Sequence, residues 1–248
     1  MTLRKTVIRG TGFAVPSNIV TNDDLSKTVD TSDEWIRTRT GIEERRIAPP
    51  ETSNSDLAIE AARKALDRAD LSAEDIDLII VSTITPDMVF PATACLVQNA
   101  LGAKHAATFD LEAACSGFIY ALSVARQYIA TGEYNNVLVV ASEVLSRITD
   151  WSDRSICVLF GDGAGAAVLS GTDEGESDFV SFFLGGNGKY ADILNMPAGG
   201  SRKPASHETV DAREHTMKMN GPEVFKAAVM KMNHSMRQVL TRAGLQSS

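Results

Sequence analysis

Apolar positions in the first two thirds of the chain alternate between short β-branched runs and stretches of helical spacing. Residues 6–9 predict a strand stopped by Gly10-Thr11-Gly12, and Val15-Pro16-Ser17-Asn18 is loop chemistry. Thr52 or Ser53 caps a helix in which Leu57, Ala61, Ala65, Leu66 and Ala69 share one face. Residues 78–82, Leu-Ile-Ile-Val-Ser, form the continuous run of a strand covered on both sides, and Pro91 opens a short helix. Residues 107–111 predict the next strand. Residues 116–131 predict a helix with Ala121, Val124, Ala125, Tyr128 and Ile129 inward and Gly132 as its stop. Residues 136–142 predict a strand, and 157–160 and 166–169 two more joined through Gly161-Asp162-Gly163-Ala164-Gly165. The rhythm is that of an α/β layer structure.

Residues 171–178 are polar and acidic and suggest a boundary, giving a first half over 1–172 and a partial second half over 173–248. In the second, 179–184 predict a strand, and 185–215 are an irregular stretch rich in Gly, Pro, Ser and Asn, long enough to line a site. Gly221-Pro222 opens a helix with the stripe Val224, Phe225, Ala228, Met232, Met236, Val239 and Leu240, stopped at Gly244.

Composition narrows the function classes. An apolar content of 44% over 248 residues is that of a folded globular protein. A net charge of -8 without a Lys/Arg cluster argues against nucleic acid, and no apolar segment reaches signal-peptide or membrane-spanning length. The three cysteines, Cys95, Cys115 and Cys157, carry no disulfide framework and no metal-ligand spacing, which fits a reducing cytoplasm.

One cysteine stands apart. Cys115, in Ala113-Ala114-Cys115-Ser116-Gly117-Phe118, falls where a predicted strand turns into a predicted long helix. A helix N-terminus favours thiolate, the nucleophilic form, and the small neighbours leave room for an acyl group. Placement alone leaves this reading level with that of a buried structural cysteine. Cys95 and Cys157, within an apolar helix and a strand, read as structural. The glycines 161, 163 and 165 lack dinucleotide-binding spacing and read as a tight strand connection in which larger side chains collide.

The runs Val29-Asp30-Thr31-Ser32-Asp33-Glu34-Trp35-Ile36, Thr38-Arg39-Thr40-Gly41-Ile42, Ala114-Cys115-Ser116-Gly117-Phe118, Asp153-Arg154 and Phe160-Gly161-Asp162-Gly163-Ala164-Gly165-Ala166-Ala167 resemble, in order, β-ketoacyl-acyl carrier protein synthase III. The resemblance implies the α/β thiolase fold, two βαβαβαββ halves in five layers, here with the second half incomplete, and a homodimer. It implies that Cys115 takes an acetyl or similar short acyl group from acyl-CoA, a substrate rather than a resident cofactor. Decarboxylative Claisen condensation with malonyl-acyl carrier protein follows. Trp35 and Arg154 match the pair that sandwiches the adenine of coenzyme A, as their stacking planes suit. Arg39 reaches a phosphate, and Thr31 and Gly221 join the coenzyme A contacts. Phe90 matches a residue that crosses the dimer interface to close the acyl pocket. Leu145, Phe160, Met219 and Phe225 match pocket or tunnel walls, for which plain core packing fits as well. Lys226 matches a basic residue that faces the carrier protein.

The family's decarboxylation step uses a histidine in a His-Gln-Ala-Asn motif and a later asparagine, and neither motif occurs here. The glycine-rich segment supplying the second oxyanion-hole N–H is also absent, leaving the backbone N–H of Cys115 from that pair. His105, His207, His215 and His234 stand in none of the required contexts and read as surface or loop residues. The chain is therefore expected to expose several hundred Å² of apolar surface in its second half, and to accept an acyl group without completing decarboxylation. A subunit that binds coenzyme A or pairs with a second chain is the competing reading. A cysteine hydrolase requires a histidine base beside Cys115.

Overall fold

The computed structural model describes residues 3–175 and 177–246. Met1 and Thr2, the start of the segment read for targeting, lie outside them, as do Glu176 of the expected boundary and the last two residues. The larger elements run β1 (Lys5–Ala14), β2 (Ile19–Thr21), α1 (Asn22–Ser26), α2 (Asp33–Thr40), β3 (Glu44–Arg46), α3 (Asn54–Ala69), β4 (Leu78–Ser82), α4 (Thr93–Leu101), β5 (Ala107–Leu111), α5 (Gly117–Thr131), β6 (Asn136–Val144), α6 (Arg154–Cys157), β7 (Asp162–Thr172), β8 (Leu194–Asn195), α7 (His207–Asp211), β9 (Lys218–Met219) and α8 (Gly221–Arg242). They divide into two compact units that interleave along the chain. The first comprises the residues up to Asn18, Arg46–Val144 and Asp162–Val180, and the second Ile19–Arg45, Leu145–Gly161 and the residues from Ser181 on.

The first unit runs β1-α3-β4-α4-β5-α5-β6-β7, the expected βαβαβαββ order, around one sheet of strand order β1-β7-β6-β4-β5. Strands β5 and β6 flank β4 in parallel, while β7 is antiparallel to β6 and to β1. Every residue of β4 is buried, which accounts for its unbroken apolar run. Ile79 and Val81 share a core with Leu57, Ala61 and Ala65 of α3 and Val97 of α4. On the neighbouring period, Ser82 faces the start of α5 at Gly117.

Several elements depart from expectation. Strand β1 does not stop at Gly10 but continues to Ala14, with a register shift between Ile8 and Gly10. These glycines are packing positions: a Cβ at Gly10 falls 2.4 Å from the Ala65 carbonyl oxygen, and one at Gly12 falls 2.2 Å from that of Ala61. Helix α4 starts at Thr93 rather than Pro91, where the Asp110 carboxylate accepts from the Thr93 and Ala94 N–H groups at 2.6 and 2.8 Å. The glycine cluster is no connection either. Gly163 and Gly165 lie inside β7, Gly163 paired with β6 and Gly165 with both neighbours, and Gly165 has open space where a Cβ would stand. Cys157 ends a short helix that Asp153 caps, instead of beginning a strand.

The 171–178 segment is fastened to β1. Asp178 accepts from the Ile8 N–H at 2.7 Å and donates its own N–H to the Thr6 carbonyl at 3.0 Å.

The second unit holds a small core of Leu25, Ile36, Cys157 and Val158. Residues 179–184, expected as a strand, form none. Residues 185–215 are irregular apart from β8, α7 and one turn of 3-10 helix at Gly188–Tyr190, and β8 pairs with β9. Helix α8 spans the expected stripe, but none of its residues is buried, and Phe225, Met232 and Met236 are 73%, 72% and 59% exposed.

Candidate active site

Strands β4, β5 and β6 are parallel neighbours, so their C-terminal ends share one edge of the sheet, the edge where ligands bind in open α/β sheets. Cys115 leaves this edge just after β5, in a 3-10 turn (Ala114–Ser116) that runs directly into α5. Its side chain is exposed, whereas Cys157 is buried and Cys95 partly so, 3.2 Å from the Thr108 hydroxyl. Burial and the nearby Asp153 carboxylate push the Cys157 thiol up, against the opposing pull of Arg45, which leaves it protonated and unreactive.

The turn is tightly built. Ala114 takes φ 43°, a left-handed value uncommon for a residue with a Cβ, and such strain concentrates at functional turns. Gly117 is required where it stands, since a Cβ there lies 1.8 Å from the Ser82 hydroxyl. The loop bearing Phe90 leaves the same edge after β4, and Phe90 is 82% exposed. His105, the histidine of this unit, sits exposed in the turn before β5, about 17 Å from the strand's far end where Cys115 lies. Among the described residues of this unit, no histidine stands beside Cys115.

Sequence reasoning missed a polar network on this edge. Glu143 of β6 is half-buried and accepts from the Ile84 N–H at 2.9 Å and from the Thr83 and Thr85 hydroxyls at 3.2 and 2.5 Å. Burial raises its carboxyl above the ordinary range, with these hydrogen bonds opposing the rise. Asn54, 2% exposed, donates to Thr83, Thr85 and the Ser142 carbonyl at 3.0, 3.2 and 2.8 Å. The available signal was an acidic residue ending a strand that otherwise reads Val-Leu-Val-Val-Ala-Ser.

The second unit gathers the residues matched to coenzyme A. The Ser32 hydroxyl caps α2 by accepting from the Trp35 N–H at 3.1 Å, which sets the half-buried indole beside the Leu25 and Ile36 core. The guanidinium carbons of Arg39 and Arg154 stand 4.5 and 5.2 Å from the Trp35 ring centroid. Arg154 also donates to the Asp30 carbonyl at 2.6 Å. Next to Ser32, the Thr31 hydroxyl is buried and has no hydrogen-bond partner among the described residues.

Gly221 opens α8, with Met219 Cε 3.8 Å from where its Cβ would stand. Phe225 lies exposed one turn on, and Leu145 and Phe160 are half-buried in irregular or 3-10 segments. Nearby in sequence, Ser152 hydrogen bonds hold the Asp150 carboxyl below its ordinary range despite burial, and Lys218 and Arg213 add to the shift. His207 lies on α7, His215 bonds the Thr209 hydroxyl at 2.9 Å, and His234 meets Phe183 edge-on at 5.4 Å.

Comparison with known proteins bears on both units. Residues 109–188 match the family described as 3-Oxoacyl-[acyl-carrier-protein (ACP)] synthase III. A β-ketoacyl-[acyl-carrier-protein] synthase III of Caldanaerobacter subterraneus subsp. tengcongensis is 57% identical over 238 residues, 96% of this chain and 72% of that protein. The crystal structure of 3-oxoacyl-[acyl-carrier-protein] synthase III from Aquifex aeolicus VF5 is 48% identical with a TM-score of 0.87, over 97% of this chain and 73% of that one. The priming β-ketosynthase from the R1128 polyketide biosynthetic pathway is 35% identical with a TM-score of 0.89, over 99% of this chain and 72% of that one.

Fold and likeness together define the class as that of thiolase-fold condensing enzymes. Within it, this chain belongs to the β-ketoacyl-[acyl-carrier-protein] synthase III family, transferases of fatty-acid biosynthesis.

Proposed function

We propose that Cys115 is the nucleophile of an acyl transfer from acyl-CoA. The observation that carries this is the exposed Cys115 thiol on a strained strand-to-helix turn, in a chain whose other two cysteines are packed into structure. The thiolate attacks the thioester carbonyl, coenzyme A leaves as its thiol, and the acyl group stays on sulfur as a new thioester. A carbanion formed by decarboxylation of malonyl-acyl carrier protein is the acceptor that completes the condensation.

Trp35, Arg154, Arg39, Thr31 and Gly221 form the coenzyme A contacts in this reading. An adenine between two planes needs about 7 Å, twice a normal carbon contact. The Arg154 guanidinium, at 5.2 Å, therefore swings outward to admit it and exchanges its Asp30 contact for the base. The unpaired Thr31 hydroxyl supports a ligand there. Phe90, Leu145, Phe160, Met219 and Phe225 are the acyl-pocket residues, with Phe90 closing the pocket across a homodimer in the cytoplasm. The internal duplication divides at 172/173.

Incubation with radiolabelled acetyl-CoA tests the nucleophile. Label is expected on the wild-type chain and none on Cys115→Ser, and label on the serine variant refutes the assignment.

A further inference from the structure

Between β4 and α4 the chain presents Met88, Val89 and Phe90 to solvent, 47%, 93% and 82% exposed. Three consecutive apolar side chains in water need a rigid base if they are to keep one position, and three carboxylates, two from neighbouring strands and one from the loop itself, fasten this loop. Glu143 of β6 takes the Ile84 N–H at 2.9 Å and the Thr83 and Thr85 hydroxyls. Asp87 accepts from the Ser55 N–H and hydroxyl, in the first turn of α3, at 2.8 and 2.6 Å. Asp110 of β5 takes the first N–H groups of α4, whose own N-cap residue, Ala92, offers no side-chain acceptor.

The two hydroxyls are each held from several sides. Thr83 Oγ1 accepts from Asn54 Nδ2 and the Thr85 N–H, both at 3.0 Å. Thr85 Oγ1 accepts from Asn54 Nδ2 at 3.2 Å and the Val144 N–H at 2.9 Å. With backbone and amide N–H groups aimed at its lone pairs, each hydroxyl turns its one proton to Glu143. The base of the loop is thus a connected polar network in which the two Asn54 amide protons are shared among three acceptors, and what it leaves outside is the apolar tip.

We propose that Thr85, Glu143 and Asp87 are positioning residues that fix the Met88–Phe90 tip and thereby set the longest acyl chain the site accepts. This rests on the reading of Phe90 as a wall of the acyl pocket. A fixed wall imposes a sharp steric cut-off, and a loosened one a gradual decline.

The test is the rate of Cys115 acylation from acetyl-, butanoyl-, hexanoyl- and octanoyl-CoA, followed by intact mass, with amide hydrogen exchange over residues 86–92. Thr85→Val and Asp87→Asn are each expected to lower the acetyl-to-octanoyl rate ratio about tenfold, the scale of one buried hydrogen bond. The change comes through the long donor, with faster exchange in the loop, and Thr85→Ser keeps the wild-type ratio. An unchanged ratio, or an equal loss for all donors, overturns the proposal. Phe90→Ala separates the two readings. If it leaves the ratio unchanged, Phe90 is not a wall. If it shifts the ratio while folded Thr85→Val and Asp87→Asn do not, the anchoring alone is wrong.

Discussion

At the scale of single residues, close approach and stacking set the effects to expect. Gly117→Ala puts a methyl 1.8 Å from the Ser82 hydroxyl, an overpacking expected to cost about 1–3 kcal/mol in urea unfolding. Because the two positions touch, adding Ser82→Gly should recover part of that loss. Trp35→Ala removes the stacking plane and should weaken coenzyme A binding about 5- to 100-fold by calorimetry. An unchanged affinity contradicts Trp35 as a contact. Asp150 has its carboxyl held below the ordinary range, so it stabilises the fold above about pH 4, and the contribution is lost as pH falls through the lowered value. Asp150→Asn should therefore be less stable than wild type at pH 7, with the gap closing below pH 4 in thermal unfolding. Cys115, Trp35 and Arg154 stood out in the sequence as candidates because their types and neighbours carried the signal. Glu143, Asp87 and Asp110 were not, because what distinguishes them is the donors that folding brings from other elements.

At the scale of elements, burial decides what a substitution costs. Ile129 of α5 is fully buried, and Ile129→Ala should cost about 2–5 kcal/mol. Phe225→Ser and Met232→Ser on α8 should each cost under about 0.5 kcal/mol, since their side chains already meet water. Equal losses in the two helices, read by urea unfolding, contradict the exposed face of α8. The same contrast explains what was legible. Helix α3 and strand β4 were readable because the partners that bury them leave a period or an unbroken run in the sequence. Strand β7 was misread at its glycines because β6, and at Gly165 also β1, pairs with the backbone whatever the side chains favour. The run at Cys157 was ambiguous between strand and helix, as short apolar runs are, and the cap at Asp153 decided it. Residues 179–184 carry strand composition, but composition alone does not pair a strand.

At the scale of the whole molecule, the first unit has the complete βαβαβαββ order and the candidate nucleophile, while the residues matched to coenzyme A belong to the second. The exposed apolar face of α8 predicts concentration-dependent self-association in sedimentation, reduced by Phe225→Ser. Acylation at Cys115 is the claim on which the rest depends. The most direct test is peptide mapping by mass spectrometry after incubation with acetyl-CoA. The account predicts an acetyl adduct on Cys115 with Cys95 and Cys157 unmodified, and an adduct on either of those with Cys115 bare contradicts it.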